Sequence, residues 1–156
     1  MKRVTTFFIA AALAASTSAA FAGGHGGNPA VKARQSHMQL YAHNLGILGG
    51  MARGNIEYDA GAAQAAANNL AALSTLDQRS YWVPGTSNAE LGEATRALPA
   101  LWEAGSTARE IGGQLAEAAA TLAAVAGDGQ GALGPALGPV GASCGACHET
   151  YRRPNN

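Results

Sequence analysis

Two cysteines and a histidine near the end of the chain, in the order Cys144-Gly145-Ala146-Cys147-His148, have the spacing to do chemistry. C-x-x-C-H is the pattern of covalent c-type haem attachment. Each thiol can form a thioether to one vinyl group of a porphyrin. The histidine directly after the second cysteine is then carried under the iron as its axial ligand. The chain has no other cysteine, so no further thiol competes for the role. A redox-active C-x-x-C pair would need a βαβ setting, and a zinc site would need two more Cys or His ligands at finger-like spacing. The sequence offers neither.

The ends of the chain say where such a group would be attached. Lys2 and Arg3 precede an apolar run from Phe7 to Ala15, and Ala20-Phe21-Ala22 forms an A-x-A cleavage site. This reads as a secretory signal peptide over residues 1–22, too short in its apolar core to span a bilayer. The expectation is cleavage after Ala22, export to the periplasm, and a mature domain over 23–156. No later apolar stretch reaches the length of a membrane span. The mature segment keeps eight basic against ten acidic residues, a formal charge of −2. Nucleic-acid binding would call for a basic face instead.

Alanine is abundant and aromatic residues make up only 6% of the chain, so the fold class expected is all-α. A core of small side chains buries little apolar area per residue, a deficit that a porphyrin would fill. Four helical segments emerge. The first spans about 28–53, with Asn28 as N-cap and Pro29 at the first helical position. Arg34, Met38, Tyr41, Leu45, Leu48 and Ala52 form one stripe. Leu40, Ile47 and Met51 form a second apolar side, a candidate for self-association. Asp59 caps a second helix over about 60–76, and a long connection through Trp82, Pro84, Gly85 and Thr86 reads as a functional loop or crossover. A third helix is expected over about 97–126. The fourth carries the C-x-x-C-H motif, and Pro135 and Pro139 place its start near Pro139. With mostly short links these make an antiparallel four-helix bundle, and a haem would sit between its helices.

With these motifs in place the chain resembles cytochrome c′, the class II c-type cytochromes. The residues that carry the likeness are Arg34-Gln35-Ser36-x-Met38, Gly85-Thr86, a Leu-Pro-x-x-Trp ending at Trp102, and Gly141-Ala142-Ser143-Cys144 running on through His148 to Tyr151-Arg152. The resemblance implies one covalent haem c on Cys144 and Cys147, with His148 as axial ligand. It also implies Arg34 and Gln35 beside a haem propionate, Met38 over the distal face, Thr86 at the haem edge and Arg152 on the proximal side. It implies a homodimer formed through the first two helices.

Function then turns on Met38. If it leaves the iron free, the protein is a five-coordinate, high-spin, non-enzymatic haem protein that binds nitric oxide or carbon monoxide. Bulkier or anionic ligands are excluded by size and by the cost of burying charge. If Met38 ligates, His/Met coordination gives a low-spin electron carrier serving an unidentified redox partner. A peroxidase would need an acid–base side chain above the iron, which Met38 cannot be. His37 and His43 read as exposed or interface residues. Cleavage after Ala22 would expose Gly23-Gly24-His25, a terminus able to wrap Cu(II) or Ni(II) in a square plane.

Overall fold

The computed structural model describes residues 27–154; the leader and His25 lie outside the described residues. Helix α1 spans Pro29–Ala52 and α2 spans Ala60–Thr75. After a long link come the single turn α3 (Asn88–Leu91) and the 3-10 turns Gly92–Ala94 and Pro99–Trp102. Helices α4 (Ala108–Val125) and α5 (Gln130–Tyr151) complete the chain. The Asn28 side chain accepts from the amides of Ala30 and Val31 at 3.0 and 3.2 Å. Asp59 accepts from Ala62 at 2.6 Å. Both caps thus stop donors that the first helical turn leaves open.

The four long helices pack in a closed ring: α1 on α2, α2 on α4, α4 on α5, and α5 back on α1. One end is tied by Gln130, which donates to the Met51 carbonyl at 2.8 Å, and by Tyr58. The Tyr58 hydroxyl donates to Ala126 and accepts from the Gly129 amide. At the other end, residues 96–98 run beside the last turn of α5, with Leu98 donating to Tyr151 and Arg153 to Arg96. These ties put the end of α1 beside the start of α5, so the two are antiparallel neighbours.

Alanines at 63, 66, 67, 118, 119 and 126 supply much of the core, with Leu48, Leu70, Leu122 and Leu133 fully buried among them. Small residues let α2 and α4 approach closely.

Three expectations about these elements need correction. The third long helix begins at Ala108, not near 97. Pro99 pushes Leu98 into extended backbone, and Gly105 takes a positive φ of 89°. Leu98 caps the 3-10 turn Pro99–Trp102 and Leu101 lies within it, which keeps their three-residue spacing. The fourth helix begins at Gln130 and runs through both prolines. Gly131, Gly134, Pro135, Gly138 and Pro139 all lie on its exposed face. There the carbonyls of Gly131 and Pro135, which lose their helical donors, can turn to water. Finally, Met51 is 3% exposed and Ile47 packs on the core. Of the second apolar side of α1, only Leu40, at 51%, stands open.

The exposed position of Pro139 generates a prediction. Pro139→Ala restores one α5 hydrogen bond, to the Pro135 carbonyl, and removes a ring from the helix interior. It should stabilise the protein by about 1–3 kcal/mol, read as a higher thermal midpoint; an unchanged or lower midpoint contradicts this account of α5.

Candidate functional site

Cys144, Cys147 and His148 lie in the last two turns of α5. Both cysteines are free, half-buried thiols. Burial raises the pKa of each, and Cys144 adds to the effect at Cys147, so both are neutral thiols at neutral pH. His148 is exposed. Partial burial of its ring, and then the nearby cations Arg152 and Arg96, lower its pKa. An uncharged imidazole is the form a metal needs. Arg152 Nη1 lies 3.2 Å from His148 Nδ1, which leaves Nε2 as the ring nitrogen free to ligate. Among the described residues no three His, Cys, Asp or Glu side chains gather into a site for a bare metal ion, so the thiol pair lacks the partners of a zinc centre.

Across the seam, α1 presents Arg34, Gln35, Met38 and Tyr41. Arg34 is 3% exposed. Its Nη1 donates to the Tyr81 carbonyl at 3.2 Å and to Thr86 Oγ1 at 3.1 Å. Its Nη2 donates to the Thr86 carbonyl at 3.0 Å and to Thr95 Oγ1 at 2.9 Å. The guanidinium also lies over Trp82 at 4.8 Å and Trp102 at 5.7 Å from the ring centroids, close enough for cation–π attraction. Gln35, exposed, donates to the Ala94 carbonyl at 2.9 Å. The first helix therefore grips the 81–95 link at two adjacent residues. Thr86 is buried, and its hydroxyl donates to the Val83 carbonyl at 2.6 Å. The turn it closes has Gly85 at a φ of +78°, a conformation natural to glycine.

His37 departs from expectation. It is 5% exposed and belongs to the interior. Its Nδ1 lies 2.6 Å from the Tyr81 hydroxyl, and its ring stacks on Tyr41 at 4.8 Å. Burial lowers its pKa, so the neutral ring can accept from Tyr81. His43 is exposed, as expected. The roles of Tyr81, Thr95 and Trp82 escaped the sequence reading, because their link has no periodicity that would aim them at Arg34.

These residues suit a haem on two observations. Every hydrogen bond of the buried Arg34 cation goes to an uncharged oxygen, so its charge has no anionic partner among the described residues. The Tyr41 hydroxyl is buried and, among them, without any hydrogen-bond partner. Such features call for a group beyond the chain's own atoms.

The Cytochrome C' family profile matches residues 29–152. The chain is 43% identical over 124 residues to cytochrome c-554 of Cereibacter sphaeroides, covering 79% of this chain and 80% of that protein. The structure of cytochrome c′ from Rhodobacter Spheriodes matches with a TM-score of 0.77 and 36% identity, over 81% of this chain and 96% of that one. A ferrous variant of cytochrome c prime from Alcaligenes xylosoxidans with bound NO matches with a TM-score of 0.68 and 31% identity, over 80% and 94%.

The grip of Arg34 can be tested directly. Arg34→Met strips four donors from buried oxygens and should cost about 3 kcal/mol or more. Limited proteolysis should show early cuts between residues 81 and 95. An unaltered cleavage pattern would mean that Arg34 does not hold this segment.

Proposed function

The chain belongs to the cytochrome c′ family, and we propose that it is a periplasmic haem protein with five-coordinate iron that binds nitric oxide and carbon monoxide and can pass electrons. Its cofactor is haem c, covalently attached. In this reading Cys144 and Cys147 carry the thioethers and His148 ligates the iron from the proximal side. The bound haem supplies an iron atom with one side open to a small ligand.

The observation that carries the reading is the place of Met38. Its side chain is half-buried and packs against the core cluster that includes Tyr41 and Leu48, the environment of an apolar filler over the distal face. The neighbouring imidazole of His37 is engaged with Tyr81, so it is not offered there as an acid–base group for peroxide chemistry. The relative with bound NO supports the same ligand class here. Arg34 contributes a fixed positive charge in a low-dielectric setting, which favours a propionate nearby. Arg152, beside His148 Nδ1, holds the ring orientation on the proximal side. Thr86 acts through Arg34, fixing the link that borders the haem edge.

Carbon monoxide separates this reading from the low-spin carrier. The reduced wild-type protein should show an immediate change in its visible spectrum on addition of the gas. Uptake seen only in Met38→Leu would establish Met38 as a ligand and overturn the five-coordinate reading.

Self-association through α1 and α2 is part of the proposal. Leu40 on α1 and Leu76 just after α2 are 51% and 55% exposed, leaving apolar area to cover on those two elements. Sedimentation should give a dimer for wild type and a monomer for Leu40→Glu; a monomeric wild type at micromolar concentration would contradict it. Among the described residues no helix is long and apolar enough to cross a membrane.

A further inference from the structure

Tyr41 has a hydroxyl with nowhere to go. The residue is 7% exposed and sits in the core cluster, yet among the described residues its oxygen has no hydrogen-bond partner. An unmet buried hydroxyl is destabilising, so its persistence asks for a reason. The ring is held in place from one side: His37 stacks on it at 4.8 Å, and His37 is itself pinned by Tyr81 at 2.6 Å. The pinned stack fixes the plane of the phenol ring.

The place of the ring on α1 says what the hydroxyl can meet. Tyr41 lies one turn beyond Met38 on the α1 stripe that also carries Arg34, so Met38 separates it from the arginine. Burial first, then Cys144 and Tyr81, disfavour its ionisation. Two acceptors come with a haem on this face: a propionate, or a diatomic ligand on the iron. With Arg34 assigned to the propionate, Tyr41, about 10 Å further along α1 and beyond Met38, is left to the diatomic ligand.

We propose that Tyr41 donates a hydrogen bond to the diatomic ligand on the distal face, making it a ligand-positioning residue beside Met38. This rests on the gas-binding reading above and adds one polar contact to an otherwise apolar pocket. Donation to the outer atom of a diatomic draws electron density into its antibonding orbital. It weakens the ligand's own bond and slows its departure.

The infrared spectrum of the carbon monoxide complex of the reduced haem protein tests this, with wild type and Tyr41→Phe compared. Phenylalanine keeps the ring and its stacking on His37, removing only the hydroxyl. The C–O stretch should move to higher frequency in Tyr41→Phe, and carbon monoxide should leave about five-fold faster, the worth of one ordinary hydrogen bond. In wild type alone, exchange into heavy water should shift the band, which gives a readout independent of the variant's folding. A complex that forms with the same band, rate and solvent-isotope response in both proteins would overturn the role of Tyr41 and leave gas binding standing. A wild type that forms no complex would overturn both.

Discussion

A positive charge buried without a negative one is the constraint around which this molecule is arranged. Arg34 cannot shed its proton, and burial removes it from water. Its four hydrogen bonds to Tyr81, Thr86 and Thr95 compensate the lost hydration with oriented neutral oxygens. That compensation demands a fixed link, since each acceptor comes from the irregular segment between α2 and α4. The link is fixed in turn by its own devices. Ser87 and Glu90 form a capping box at α3, Trp102 donates to the Trp82 carbonyl at 3.0 Å, and Asn88 donates to Ala97 at 2.8 Å. The same link then meets the end of α5 at the Ala97–Arg152 bridge. One arginine on the first helix thus connects, through a chain of polar contacts, to the turn that bears His148.

The bundle divides its work between two seams. Alanines along α2 and α4 permit close approach and a dry, tight half. The α1–α5 seam holds larger and more reactive groups: Met38, Tyr41, Cys144 and Cys147. Tertiary packing on the α5 face that carries Leu133, Ala136, Leu137 and Val140 offsets the two prolines on the opposite face. The helix that carries the attachment motif is therefore held from its inner side. Its solvent side is left to glycine and proline.

Much of this was legible in the sequence. The thiol–thiol–imidazole spacing, Asn28 and Asp59 as caps, and the stripe through Arg34, Met38 and Tyr41 each follow from local chemistry or helical period. What was not legible lay beyond local rules. Proline penalties are local, but whether the lost donors can be replaced by water depends on which face of α5 looks outward. The spacing of Leu98 and Leu101 fits an α-helix and a 3-10 turn alike, and only Pro99 and Gly105 tell them apart. His37 reads as an exposed or interface residue because it lies more than a quarter-turn around α1 from Met38. Its burial depends on Tyr81, 44 positions away, arriving from an aperiodic link.

The spin state of the iron reports most directly on what stands opposite His148. Low-temperature electron paramagnetic resonance of the oxidised haem protein at neutral pH should give a high-spin ferric signal, as five-coordinate iron with Met38 held as a packing residue requires. A spectrum that is low-spin alone, and becomes high-spin in Met38→Leu, would contradict the account.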